Sequence, residues 1–370
     1  MTGTTPGRPG CIRVLVVDDS LVIRRLVVDA LGSDPDIEVV GQAPNGKVAL
    51  EKVAALKPDA VTMDIEMPEM NGIEAVRALR RTHPRLPVVM FSTLTERGAA
   101  ATLDALAAGA SDYVTKPSNV GSFADSQRNV REQLILKLKA LTASRRASGA
   151  AAPVTPPPRP AAPRRPRAGA FGVLAIGCST GGPDALATLL PALPADLPVP
   201  VVVVQHMPPV FTRLLANRLD GQSRLTVTEA QHGDAVVPGR VLIAPGGFHL
   251  VVRRSGPAVV AELTEDPPEN FCRPAVDVLF RSVAAVYGDR TLAAVLTGMG
   301  RDGERGAKAV HDAGGEVYVQ DDATSVVWGM PGAVAGAGLA DKILPLPQIG
   351  PALATALTRS AATAGAGAAT

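Results

Sequence analysis

The sequence predicts two α/β domains, each a doubly wound parallel sheet, joined by a Pro/Arg-rich linker. Three observations carry this. Short Val-rich apolar runs recur in both halves and end abruptly in polar or acidic residues, as strands buried on both faces do. Helical patterns separate these runs. From Ala143 to Gly169 the chain reads ASRRASGAAAPVTPPPRPAAPRRPRAG, with no periodicity and no aromatic or Ile to bury. Such Pro-rich stretches act as solvated spacers, and 370 residues are enough for a domain on either side.

In the first half, Ile12 to Val17 (IRVLVV) is a strand ending in Asp18-Asp19. A helix follows, with Leu21, Leu26, Val28 and Leu31 among its apolar positions. Glu38 to Val40 is a second strand, and a helix surrounds Lys47 to Leu56. Ala60 to Met63 is a third strand, ending in Asp64. Pro87 to Phe91 is a fourth, ending in Ser92-Thr93, and Asp112 to Val114 a fifth, ending in Thr115-Lys116-Pro117. An amphipathic helix over Arg128 to Leu141 leads out of the domain. In the second half, Val173 to Ile176 runs into Gly177-Cys178-Ser179, and Pro183 to Leu186 starts a helix. Val199 to Val204 ends in Gln205-His206. Leu292 to Leu296 ends in the loop TGMGRDG, which carries Asp302. The tail AATAGAGAAT is expected to fray.

Composition excludes several classes. The formal net charge is only +2, so no global basic field calls for nucleic acid or an anionic membrane. No apolar run approaches the roughly 18 residues that span a bilayer, and MTGTTPGRPG lacks the marks of a signal peptide. Cys11, Cys178 and Cys272 are far apart and odd in number, which suits a reducing cytosol. The expected location is therefore cytoplasmic. Cys178 reads as a small packing residue despite its place beside Ser179.

Parallel sheets bind ligands at the carboxyl ends of their strands. In the first half this gathers Asp18, Asp19 and Asp64. Three carboxylates repel unless a cation joins them, and hard oxygen ligands suit Mg²⁺. Lys116 and Ser92 reach the same place and suit a phosphoryl group. The stretches VLVVDDS and MDIEMPEMNG, with Ser92-Thr93 and Lys116-Pro117, resemble the response-regulator receiver family, a flavodoxin-like fold. The resemblance implies that Asp64 is the phosphoacceptor and that Asp18, Asp19 and Asp64 hold Mg²⁺, with the Glu66 carbonyl as a further ligand. It makes Ser92 the switch hydroxyl, Lys116 the phosphoryl contact and Tyr113 the aromatic switch.

In the second half, Gly177, Ser179 and Gly181 fit G-x-S-x-G, and the strand ends place Ser179, His206 and Asp302 on one rim. A phosphate loop fares poorly: there is no G-x-x-x-x-G-K-[ST] run and no dinucleotide fingerprint. The order Ser, His, Asp departs from that of α/β-hydrolases. His249 is the one serious rival as base, since His232 lies in a turn-like region and His311 in an Ala-rich helix. No His/Cys cluster has zinc spacing, and aromatics are only 3% of the chain, too few for a broad aromatic pocket.

The stretches AIGCSTGG, VVVQHMPPVFTRLLANRL, VPGRVLIAPGGFHL, FCRPAVDVLF, TGMGRDG and VVWGMPGAV resemble the catalytic domain of the chemotaxis protein-glutamate methylesterase (CheB) family, with a Rossmann-like fold. The resemblance implies a receiver at 11–135, a linker at 136–169 and a methylesterase domain at 170–358. It implies hydrolysis of γ-glutamyl methyl esters, and deamidation of glutamines, on chemoreceptor helices. Ser179 would be nucleophile, His206 base, Asp302 its partner and the Met299 N–H an oxyanion donor. It further implies a histidine kinase as phosphodonor, a receiver that covers the catalytic rim until phosphorylated, and contact with the membrane only through receptors. A phosphorylation-controlled docking adaptor is the rival class. The intact Ser179, His206 and Asp302 speak against it. No basic recognition helix suggests a DNA-binding output.

Overall fold

A computed structural model describes residues 10–116, 123–149 and 169–367. The chain divides into two compact units, Met1–Ala152 and Pro153–Thr370. Pro117 and the linker stretch 150–168 lie outside the described residues.

In the first unit, β1 (Ile12–Val17), α1 (Leu21–Gly32), β2 (Ile37–Ala43), α2 (Gly46–Leu56), β3 (Ala60–Asp64), α3 (Gly72–Thr82), β4 (Val88–Ser92), α4 (Glu96–Ala107), β5 (Asp112–Thr115) and α5 (Phe123–Gly149) follow in order. The strands form a parallel sheet in the order β2-β1-β3-β4-β5. The order reverses at β1/β3, the switch point where such sheets bind ligands. Every residue of β3 and β4 is buried, which is why these strands read as continuous apolar runs. Local chemistry starts the helices where they start. The Ser20 side chain caps α1, and Asn71 with Glu74 forms a capping box on α3, each cap stabilising by about 1 kcal/mol.

Helix α5 corrects the expected domain boundary. It continues through 136–149, a stretch assigned to the linker, because Leu134, Leu138 and Leu141 recur at helical spacing and are buried. Lys139 of this helix binds Asp34 and Asp36, each at 2.8 Å.

The second unit runs β6 (Val173–Cys178), α6 (Gly182–Leu189), β7 (Val201–Gln205), α7 (Phe211–Asp220), β8 (Thr226–Glu229), β9 (Arg240–Ile243), β10 (His249–Ser255), β11 (Ala258–Thr264), α8 (Val276–Tyr287), β12 (Thr291–Val295), α9 (Glu304–Asp312), β13 (Glu316–Gln320), α10 (Met330–Gly336), β14 (Lys342–Leu344) and α11 (Leu346–Gly367). Among the described residues its sheet has seven strands in the order β14-β13-β12-β6-β7-β9-β8, all paired parallel. The doubly wound expectation holds for both units. The antiparallel hairpin β10-β11 is an addition that the apolar runs did not announce. The tail read as frayed from residue 361 is helical to Gly367.

The strands expected to deliver Ser179, His206 and Asp302 are central neighbours, β12-β6-β7. Cys178 pairs with Gln205 across β6 and β7, so Ser179 and His206 each lie one residue past a cross-strand pair. Among the described residues, no helix is long and apolar enough to cross a membrane.

Candidate functional site

The polar residues of the first unit meet at the carboxyl ends of β1, β3 and β5. Carboxylate oxygens of Asp18, Asp19 and Asp64 lie within 4.8 Å of one another. Lys116 Nζ sits 2.7 Å from Asp64 Oδ1 and 3.1 Å from Asp18 Oδ2. Burial pushes the Asp64 carboxyl up to about 6, with Asp18 adding to the rise and Lys116 opposing it. Burial likewise raises Asp18. Gly72 keeps this end compact: its N–H donates to the Ile65 carbonyl at 2.9 Å, and a Cβ there would collide with the Asp64 carbonyl oxygen.

Not every expected group points at Asp64. The Ser92 hydroxyl lies 3.1 Å from the Gly98 carbonyl and accepts from Thr102 Oγ1 at 2.5 Å, so it faces α4. The Tyr113 ring is buried, and Lys137 stands 5.2 Å over it. The Glu66 side chain is exposed and pairs with Arg97 at 3.4 Å. Both line a cleft of ≈ 520 Å³ that Asp19 also borders.

In the second unit, His206 Nε2 lies 2.8 Å from Asp302 Oδ2. Two helix starts hold Asp302 in place. It accepts the Val276 N–H at 2.6 Å and the Asp277 N–H at 3.0 Å, both first-turn amides of α8. Asp277 returns the favour to α9, accepting the Gly303 N–H at 2.9 Å and the Gly306 N–H at 2.6 Å. Helix α9 has no cap from its own N-cap residue, Gly303. Asn270 Nδ2 bridges the pair, 2.8 Å from Asp302 Oδ1 and 2.9 Å from Asp277 Oδ2. Amides and helix dipoles favour an anion here. Burial alone would raise the Asp302 carboxyl, but His206 and these amides hold it below its ordinary value. Burial disfavours a charged His206 ring, yet the Asp302 carboxylate and the Cys272 sulfur outweigh that and raise its pKa.

Ser179 sits on the turn between β6 and α6. Its N–H donates to the Thr297 carbonyl at 3.0 Å, and its carbonyl accepts Gln205 Nε2 at 3.0 Å and the Gly182 N–H at 2.8 Å. The Met299 loop lies against it. A Cβ on Gly298 would come within 2.9 Å of Ser179 Cβ and would collide with Met330 Sδ, so only glycine permits this approach.

His249 is a brace rather than a rival base. It is fully buried. Its Nδ1 accepts the Ala275 N–H at 3.2 Å and its Nε2 lies 3.2 Å from the Pro267 carbonyl. His232 is exposed. The Cys178 thiol is buried, and burial pushes its pKa up, as befits a packing residue. Sequence reasoning missed Gln205, Asn270, Asp277 and Cys272 as members of the site. Cys272 Sγ lies 3.6 Å from His206 Nδ1. The stretch FCRPAVDVLF contains Cys272 and Asp277, but nothing in it says which backbone amides a carboxylate will cap.

Residues 174–353 match the CheB methylesterase family, and residues 14–126 match the response regulator receiver domain. The protein-glutamate methylesterase/protein-glutamine glutaminase of Nocardioides sp. is 59% identical over 355 residues, covering 95% of this chain and 96% of that one. The chain belongs to the CheB methylesterase family. The protein-glutamate methylesterase/protein-glutamine glutaminase of Trichodesmium erythraeum is 48% identical over 341 residues, covering 91% of this chain and 96% of that one. The crystal structure of the Thermotoga maritima CheB methylesterase catalytic domain is similar at 46% identity, over 50% of this chain and 98% of that one, with a TM-score of 0.49. The family match and these relatives make the chain an enzyme, a methylesterase with a receiver domain ahead of it in sequence.

Proposed function

We propose that the second unit hydrolyses γ-glutamyl methyl esters on chemoreceptor helices, and the side-chain amides of some glutamines, and that phosphorylation of Asp64 raises this activity. The observation that carries the chemistry is the His206–Asp302 contact of 2.8 Å on the rim where Ser179 also lies. Asp302 accepts a hydrogen bond from the Nε2–H and stays ionised, which leaves the lone pair on Nδ1. That nitrogen receives the Ser179 proton as Oγ attacks the ester carbonyl. The Met299 N–H is the proposed donor to the oxyanion. The proton on Nδ1 then passes to the departing methoxide, and methanol leaves. Water, deprotonated by the same nitrogen, releases the glutamate. With a glutamine, ammonia departs instead.

Asp302→Asn tests the roles of this pair. Asp302 raises the His206 pKa, so removing its charge lets the ring stay neutral to lower pH. The acid limb of kcat/KM and the ring's NMR titration are both expected to move to lower pH. The rate falls by about 10²–10⁴-fold, because an amide holds the wrong tautomer. An acid limb that stays in place would remove His206 as the base.

In the receiver, an Asp64 carboxylate oxygen attacks the phosphorus of the donor, in the cell a phosphohistidine of a histidine kinase; the P–N bond breaks, the imidazole leaves, and Lys116 stays paired with the product. The residues fit Mg²⁺: three hard carboxylates converge, and buried Asp18 Oδ2 has the Lys116 ammonium beside it but no well-directed hydrogen bond. Asp18, Asp19 and Asp64 would hold the ion, with the Glu66 carbonyl as a further ligand. Bound there, it supplies positive charge against the phosphoryl oxygens. The Ser92 hydroxyl turns from Gly98 to the phosphoryl group, and Tyr113 is the aromatic that answers it. The setting for all of this is the cytoplasm, where receptor helices and kinase meet, with no nucleic acid involved.

Mg²⁺ at ten times its dissociation constant is expected to stabilise the first unit by about 1.4 kcal/mol. The rise in melting temperature should vanish in Asp18→Asn. An equal rise in both proteins would place the ion elsewhere.

A further inference from the structure

Phe271 is the anomaly of the second unit. Its side chain is 103% exposed, more than any other large apolar residue described. Its φ is +63, and that of Asn270 before it is +52. Glu269 and Cys272 exchange both backbone hydrogen bonds, at 3.1 and 2.9 Å, around these two residues. The result is a two-residue turn with both central residues left-handed, a geometry that favours glycine at the second place. A bulky aromatic there is strained, and strain of this kind gathers at functional sites.

The turn does not hang free. Asn270 holds Asp302, and Cys272 contacts His206. Glu269 grips Arg281 through both carboxylate oxygens, at 2.8 and 2.6 Å. Arg273 donates to the Glu265 carbonyl at 2.7 Å. The backbone that carries this exposed ring is thus anchored between two residues that touch the proposed catalytic pair.

We propose that Phe271 is a substrate-positioning residue: its ring packs on apolar side chains of the protein substrate next to the reacting glutamyl group. This rests on the reading of Ser179, His206 and Asp302 given above. An aromatic on an anchored turn at the edge of the chemistry supplies a large contact area with few side-chain torsions to order. The occupant is the polypeptide that carries the ester. A small ester lacks the side chains that Phe271 would meet, so the two substrates separate anchoring from chemistry.

The decisive variant is Phe271→Gly in the full chain. Glycine suits the left-handed position, so the turn and its grip on His206 and Asp302 persist. Methanol release from methylated receptor and hydrolysis of p-nitrophenyl acetate are compared with and without acetyl phosphate and Mg²⁺. KM for the receptor is expected to rise tenfold or more, with kcat and the small-ester rate within twofold of wild type. Phe271→Trp should restore most of the receptor KM. Three outcomes overturn the proposal: an unchanged receptor KM; equal losses on both substrates, which would mean that Phe271 acts through His206; or gains on both without phosphodonor, which would mean that Phe271 serves the chain's own receiver. Ser179→Ala run alongside keeps the questions apart. If it still hydrolyses receptor ester, the site assignment fails whatever Phe271→Gly does.

Discussion

Ser179→Ala is expected to lose about 10⁴-fold or more in kcat for receptor demethylation, while its melting temperature stays that of the wild type. The contrast follows from where the serine's bonds run. The Ser179 N–H reaches Thr297, and its carbonyl receives Gln205 and Gly182. All three use the backbone of Ser179, which alanine keeps. The hydroxyl alone is lost, and with it the only atom proposed to attack the ester. A loss of about 10⁴-fold corresponds to roughly 5.5 kcal/mol of transition-state stabilisation, far above the effect of removing one hydroxyl from a partly exposed turn. A variant that unfolds, or one that keeps a tenth of wild-type activity, would contradict the assignment.

Asp64→Asn is expected to leave basal esterase activity unchanged and to abolish its rise on adding a small phosphodonor with Mg²⁺. The amide cannot attack phosphorus, so the ratio of stimulated to basal rate should fall to about one, because no phosphorylated state remains to shift the population. Stability should not fall with it. Burial has already pushed the Asp64 carboxyl up to about 6, so at neutral pH the fold carries a carboxylate that it disfavours. A group with a raised folded pKa contributes its stability when protonated and loses it as pH rises through that value. The neutral amide escapes this loss. Stimulation that persists in Asp64→Asn would move the phosphoacceptor elsewhere.

The five strands of the first unit and β6, β7 and β12 of the second, with their polar termini, were legible because parallel strands, buried on both faces, leave Val-rich runs that end abruptly, whereas β8, β9, β13 and β14 were not read. Asp18, Asp64, Ser179 and His206 could be placed on two rims from that alone. What holds them could not. Asp302 is fixed by amides of Val276 and Asp277, and that pairing depends on how the starts of α8 and α9 meet. The contact of Cys272 with His206 and the role of His249 as a brace depend on a loop whose path no local pattern sets. The end of the first unit was misplaced for a related reason. The helix over Arg128 to Leu141 was legible, but Arg145 and Arg146 read as part of a solvated linker from Ala143, whereas α5, with Leu138 and Leu141 buried on one face, continues to Gly149.

The most direct measurement is methanol release from methylated receptor by the wild-type chain, with and without acetyl phosphate and Mg²⁺. Release that depends on Ser179 and rises with the donor only when Asp64 is present is the predicted result. No release in either state, from protein shown to be folded and phosphorylated, would contradict it and leave the second unit a docking surface rather than an esterase of receptor glutamates.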